Sequence, residues 1–181
     1  DVCGNETSSS QIGTLQDTTA LTFTTTAPAD VTVECDVVPT AATLIATDTC
    51  SDAIVTFNEV RTDGTCANTY LLTRTWTATD VCGNETSATQ IVTVQDTTAP
   101  TFTTTAPADV TVECDIVPTA ATLVATDNCS DATVTFNEVR TDGTCENAYT
   151  LTRTWTATDV CGNETSVTQI VTAQDTTAPE I

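Results

Sequence analysis

Cysteines, carboxylates and hydroxyls are the only residues here with the types to do chemistry, because the 181-residue chain has no histidine and its four cations are all arginine. The cysteines are Cys3, then Cys35, Cys50, Cys66 and Cys82, then Cys114, Cys129, Cys145 and Cys161. Within each group of four the spacings are 15, 16 and 16 residues, with no C-x-x-C pair. A zinc site normally draws on such pairs or on histidine, so the pattern reads as structural disulfides made in an oxidising, extracellular compartment. Cys3 repeats the position of Cys82 and Cys161, in the shared octapeptide DVCGNETS.

Oxygen donors gather in the same segments. Asp48 and Asp52 flank Cys50; Asp80, Asn84 and Glu85 flank Cys82. The second set is Asp127, Asn128 and Asp131 around Cys129, and Asp159, Asn163 and Glu164 around Cys161. Hard cations take six to eight oxygens, so these residues are candidate calcium ligands, and the alternative is that they only form turns. Acid-base or nucleophilic catalysis would have to rely on carboxylates and hydroxyls that recur with the repeat itself, and no enzyme is expected. A net charge of -21 repels polyanions, so no nucleic-acid partner is expected and acidic membrane surfaces are poor partners. No apolar run approaches the roughly 18 residues of a membrane span.

The elements that position these residues are strands. Threonine supplies 48 residues, β-branched side chains suit a pleated surface, and no helical apolar period is sustained, so the class is all-β. Aligning residues 23–101 with 102–180 leaves ten differences in 79 positions, which makes the chain a tandem array of 79-residue repeats. The reading is a final-strand remnant at 1–17, repeats at 18–96 and 97–175, and the start of a further repeat at 176–181. In the first repeat the expected strands are TFTTT to VTVEC, split at Ala27-Pro28, then ATLIATD, AIVTFNEVR, TYLLTRTWTATD and TSATQIVTVQD. A split strand that changes sheets, with turns at Asp63-Gly64 and Gly83-Asn84, points to a β-sandwich. Tyr70, Leu72, Arg74, Trp76 and Ala78 share the core face, where Arg74 is expected to reach Glu59 or lie over Trp76.

Each cysteine interval holds one strand and one turn, so successive cysteines fall at alternate ends of the sheet. A ten-residue strand spans roughly 33 Å, far beyond a bridge's reach of roughly 4.4 to 6.8 Å between Cα atoms. Two disulfides in each repeat are therefore expected, pairing Cys35 with Cys66, Cys50 with Cys82, Cys114 with Cys145 and Cys129 with Cys161. Nearest-neighbour pairing, Cys35 with Cys50 and Cys66 with Cys82, stays open if a loop folds back. Cys3 is expected to bridge to a cysteine of the TDTC type in a preceding repeat.

The run RTWTATDVCGNETSATQIVTVQDTTAP, with VTVECD upstream, resembles the hyalin-repeat (HYR-like) and related immunoglobulin-like modules strung in tandem in large secreted or surface proteins, notably of Bacteroidota. The resemblance implies tandem immunoglobulin-like sandwiches and a structural or adhesive extracellular role. In that arrangement the TDTCSD and TDVCGNE loops share one end of each sandwich, and the linker QDTTAP brings Asp96 to that end of the next repeat. The same resemblance makes the linker Asp-Thr-Thr an O-glycosylation candidate at Thr18, Thr97 and Thr176, while Asn5, Asn84 and Asn163 lie in N-glycosylation sequons and Asn128 in N-C-S.

The function expected is a segment of an extracellular fibre, stalk or surface adhesin that associates with its own adjacent repeats and is stiffened by calcium. The alternatives are a module that binds a surface glycan or other cell-surface ligand, and a filament subunit completed by strand donation from SSSQIGTLQD.

Overall fold

Alternating threonine and apolar residues form strands wherever a turn signal leaves ten residues uninterrupted, and only short strands form where proline intervenes. The computed structural model describes residues 3, 6, 8–145 and 147–178, so the Asn5 sequon lies outside the described residues. The strands are β1 (Thr22–Phe23), β2 (Val31–Glu34), β3 (Ala46–Thr47), β4 (Ile54–Asp63), β5 (Tyr70–Thr79) and β6 (Glu85–Gln95). The second repeat gives β7 (Thr101–Phe102), β8 (Val110–Glu113), β9 (Ala125–Thr126), β10 (Thr133–Asp142), β11 (Tyr149–Thr158) and β12 (Glu164–Gln174). A short 3-10 turn, Cys35–Val37, follows β2.

The chain forms two compact units. The first gathers Asp1–Pro28, Ala41–Glu59 and Arg74–Gln90; the second gathers Ala29–Thr40, Val60–Thr73 and Ile91–Ile181.

All of the second repeat's strands lie in the second unit. Four of them form a sheet in the order β10-β11-β12-β8, antiparallel except for the β12-β8 pair, which is parallel. The other two, β7 and β9, make a two-stranded sheet. The chain therefore enters one sheet at β7, breaks at Ala106-Pro107, and continues in the other sheet at β8, the strand switch expected from a proline that cannot donate to a ladder. Leu123 and Ala125 come from the region of the small sheet, and Leu151, Trp155, Ala157, Val171 and Ala173 from the large one; all seven are buried. Trp155 is 1% exposed, and its Nε1 donates to Ala121 O at 3.0 Å, so the largest core side chain also ties down the segment before β9.

Register explains how an arginine sits in this core. Arg153 lies opposite Glu138 on one neighbouring strand and opposite Gln169 on the other. Its Nε donates to Glu138 Oε2 at 2.7 Å, its Nη1 to Gln169 Oε1 at 3.4 Å and its Nη2 to Pro118 O at 2.7 Å. Arg153 is thus 3% exposed with its donors directed at acceptors across the sheet. The ring over which an arginine does lie is tyrosine, with Arg140 centred 3.6 Å above Tyr149.

The second unit also carries an apolar cluster built from first-repeat residues. Leu72, Val92 and Val94 are buried there against Val31, Val33, Val38 and Tyr70, and β2 pairs parallel with β6 from Val31↔Val92 to Glu34↔Gln95.

The first unit repeats the design. Leu21, Ala46 and Ala78 form its core with Phe23, Ala53 and Val55. Trp76 Nε1 donates to Ala42 O at 3.0 Å, and Arg74 donates to Glu59 at 2.7 Å and to Gln90 at 3.3 Å. The expected partner Glu59 is correct, and the alternating faces of β5 are as read, with positions 72, 74, 76 and 78 buried. First-repeat strands follow the order β2-β6-β5-β4.

Truncating Arg153 to alanine leaves Gln169 Oε1 and Pro118 O without that donor, while Glu138, at 36% side-chain exposure, keeps access to water. The expected loss is about 1 to 3 kcal/mol, in the range for stranded buried polar groups. Urea unfolding of Arg153→Ala beside the parent chain measures it, and equal midpoints would show that the network contributes nothing.

Candidate functional site

The four loops that carry Cys35, Cys66, Cys129 and Cys161 converge within the second unit. Cys35 bridges Cys129 and Cys66 bridges Cys161, with Cα separations of 5.8 and 5.2 Å. Their sequence separations of 94 and 95 are each one 79-residue period plus the spacing between neighbouring cysteines. Each bridge therefore joins one repeat to the next.

This corrects the expected pairings. Cys35 does not pair with Cys66, nor Cys129 with Cys161, and Cys50, Cys82, Cys114 and Cys145 carry no bridge, so the Cys50–Cys82 and Cys114–Cys145 pairs and the nearest-neighbour alternative do not form. Alternation of successive cysteines places Cys35 and Cys66 together, since both meet loops of the second repeat. Sharing an end does not bring two loops to bonding distance, whereas the following repeat offers a cysteine to each.

The linker between the repeats is held by polar contacts. Glu34, at the end of β2, accepts the Thr97 N–H at 3.0 Å, the Thr97 hydroxyl at 2.7 Å and the Gln95 amide at 3.1 Å. The Thr97 hydrogen bonds, backbone first, and then that from Gln95 hold the Glu34 carboxyl below its usual range. Asn68, from the Cys66 turn, donates to Asp96 Oδ2 at 3.3 Å and to Cys129 O at 3.2 Å. Asn163 reaches back from the Cys161 turn, donating to Asp96 O at 3.1 Å and to Asp159 Oδ2 at 2.7 Å. Two amides thus connect linker and loops on either side of the bridges.

The Cys161 loop is shaped by its own sequence. Asp159 Oδ1 accepts the N–H groups of Cys161 and Asn163 at 2.8 and 2.9 Å, an Asx-type turn, and Gly162 sits at φ +90°. Burial opposes ionisation of Asp159, but the hydrogen bonds from Asn163, Cys161 and Gly162 outweigh it and hold the carboxyl low. Asp96 behaves in the opposite way. It is 5% exposed, and its burial, followed by the charges of Asp159 and Asp127, raises its carboxyl despite the bond from Asn68.

Among the calcium candidates, the fold brings Asp96 and Asp127 together, with ligand atoms of Asp96, Asp127 and Cys129 within 4.8 Å of one another. The Cys129 sulfur is already bonded to Cys35. Asp127 Oδ1 is buried without a hydrogen-bond partner, an orphan oxygen of the kind a cation would satisfy, while Asp159 has both oxygens engaged. Asp131 and Glu164 are outside the cluster; Glu164 accepts from Thr158 at 3.0 Å. In the first unit, Asp48 with Cys50 and Asp80 with Cys82 each gather around Asp17, and Asp48 Oδ1 and Asp17 Oδ2 are again buried without partners. Asp52 and Glu85 are outside these groups. The hydrogen bonds from Asn84 and the loop N–H groups outweigh burial at Asp80, whereas burial and then the Asp80, Asp17 and Asp48 charges raise the Cys82 thiol.

Sequence reasoning missed Asp17, Glu34 and Asn68. Asp17 was accessible, because Gln16-Asp17-Thr18-Thr19 repeats Gln95-Asp96-Thr97-Thr98. The glycan candidates are engaged: Asn84 Nδ2 donates to Asp80 and to Asp17 O, Asn163 Nδ2 to Asp159 and Asp96, and the Thr97 and Thr176 hydroxyls to Glu34 and Glu113. Thr18 is exposed.

Residues 102–173 match the family described as HYR-like domain with 4 cysteines. No curated protein is a significant match to the chain. Among solved structures, Drosophila N-cadherin EC1-4 is similar at 12% identity and a TM-score of 0.36, with 87% of this chain and 50% of that one covered. The chain thus spans half the length of that relative. Human mucin-like protocadherin EC1-2 follows at 14% identity and 0.33, covering 86% and 98%, and mouse protocadherin-24 EC1-3 at 15% and 0.31, covering 86% and 70%. Among the described residues no helix is long and apolar enough to cross a membrane.

Because the Asp96 carboxyl is raised, its ionisation works against the fold. The penalty is absent below the ordinary carboxylate range and grows as pH rises through the raised value. Asp96→Asn is therefore expected to melt above the parent at pH 7 in chelator, with the advantage shrinking as pH falls through the carboxylate range. Thermal melts over that range decide it; an advantage that grows on acidification would contradict the sign.

Proposed function

We propose that this chain is a structural segment of a long extracellular fibre, stalk or surface adhesin, in which successive HYR-like repeats are stapled to one another. The observation that carries this reading is the pair of bridges that cross the repeat boundary. Bridges confined within domains would strengthen each sandwich and leave the linker to take the strain. Placed across the boundary, they make the junction the strongest part of the chain and fit a load-bearing role. Disulfides also fit an oxidising, extracellular location.

Near-identity of the repeats supports the same role, since the 79-residue period carries every junction residue forward. The first repeat differs from the HYR-like match at few positions, and its four cysteines are retained.

Mechanical loading tests the reading. With Cys35–Cys129 and Cys66–Cys161 intact, the force path crosses the bridges and bypasses about ninety residues, about 300 Å of contour at roughly 3.3 to 3.6 Å per residue. Single-molecule stretching should therefore release about 300 Å more under reductant than without it. The same final extension in both conditions would reject the load-bearing junction.

Calcium stiffening is the finer part of the proposal. Asp96 and Asp127 would hold the ion, which would supply positive charge where buried carboxylates oppose each other. Thermal melts should then rise with calcium over chelator, and Asp127→Asn should diminish the rise, the Asp17–Asp48 group of the first unit keeping its own oxygens. A melting temperature indifferent to calcium removes the ion and leaves the stapled junction standing.

A further inference from the structure

The small sheet of each repeat stops after two strands, and part of the large sheet's inner face is left uncovered. In the second unit β9 pairs only with β7, while β10 forms one edge of the four-stranded sheet. Phe136 lies opposite Trp155 in the β10-β11 register, with ring centroids 5.2 Å apart, so it belongs to the core side. It is nevertheless 46% exposed. A cavity of about 240 Å³ opens over the two rings, bordered by residues 120–123 on one side and by Val134 on the other. Residues 120–123 form no strand, and among the described residues their one hydrogen bond is that from Trp155 Nε1 to Ala121 O. The first unit repeats the arrangement, with Phe57 47% exposed, 5.3 Å from Trp76, and a cavity of about 220 Å³ between residues 41–44 and Val55. Each repeat thus has free backbone at one side and an aromatic floor below.

Further along the same two stretches the lining turns polar. In the first unit a second cavity, of about 300 Å³, is lined by Ala46, Thr47 and Asp48 and by Ser51, Asp52 and Ala53. Ser51 Oγ is buried without a hydrogen-bond partner, and so is Ser130 Oγ at the equivalent position of the second repeat. Asp52 and its counterpart Asp131 are exposed and stand outside the acidic groups assigned to calcium. A single occupant would therefore meet rings at one end, and a hydroxyl and a carboxylate at the other.

We propose that each repeat takes an extended segment of a partner protein as an added strand beside β3 or β9. Its alternate apolar side chains cover Trp76 and Phe57, or Trp155 and Phe136, and a lysine or arginine at one end meets Asp52 or Asp131. Strand addition follows from the free backbone, which pairs with any extended chain, while the floor selects what that chain carries. Successive side chains of a strand point to opposite faces, so apolar residues at every second position reach the rings. The cationic end follows from charge complementarity, because a chain of net charge -21 repels an acidic segment and draws a basic one. The Ser51 hydroxyl offers that end a further acceptor. Eight residues suffice, matching residues 41–48 that border both cavities. The bridges take no part, so this site and the stapled junction stand or fall separately.

The chain's two tryptophans each line one of these cavities, so their emission reports on both sites directly. The test titrates the full chain, in chelator, with blocked octapeptides of alternating valine and threonine that carry a lysine or a glutamate at either end. The lysine peptides should change the tryptophan emission and saturate at two per chain, and the glutamate peptides should bind about tenfold more weakly. Asp52→Lys/Asp131→Lys, at exposed positions, should reverse that preference, and Phe57→Ala/Phe136→Ala should weaken both kinds of peptide. Emission that no peptide changes, equal affinities in the parent, or a preference that survives the charge reversal would overturn the proposal. Multimers that form without peptide and exclude it would also overturn it, since the site would then belong to a second copy.

Discussion

The bridges Cys35–Cys129 and Cys66–Cys161 fix the loops of one repeat to those of the next, and the rest of the structure is organised around that constraint. Each repeat has a single tryptophan and a second sheet of only two two-residue strands. So small a core leaves its end loops thinly supported. Closing loops of more than ninety residues removes more conformational freedom from the unfolded chain than closing the thirty-residue loops of bridges kept inside a repeat, about 4 to 5 kcal/mol against about 3 to 4 in the chain-entropy model. Support arrives from the neighbour, through sulfur and through the amides of Asn68 and Asn163.

Much of the fold was legible because it depends on local rules. Alternation along Tyr70–Thr79 identified the buried face, Ala27-Pro28 marked the strand that changes sheets, and Glu59 was a correct partner for Arg74. The bridge pattern was not legible, for a physical reason. Strand direction tells at which end a cysteine lies, but the partner is chosen by which loop stands nearest, and that loop belongs to the following repeat. The linker that carries Asp96 to the next repeat also runs beside Cys35 and Cys66, held by Glu34 and Asn68 next to them. Register, too, escapes periodicity: that Arg153 faces Glu138 and Gln169 at once follows from two independent strand pairings.

Electrostatics and covalent chemistry oppose each other at the junction. Asp96 is buried close to Asp127 and Asp159 in a chain of net charge -21, and burial first, then those two charges, raises its carboxyl. The neighbouring bridges hold the loops in place regardless of that repulsion. Amides and loop N–H groups then spread the charge, most effectively at Asp159, which is the better solvated by protein donors of the two.

The number of bridges matters apart from their strength. A single disulfide between two bodies is a swivel, free to turn about its own bonds. Two, rooted in different loops on both sides, act as a keyed coupling that cannot turn without breaking one of them. Torque applied to one repeat is then handed to the next through covalent bonds rather than through a thin core.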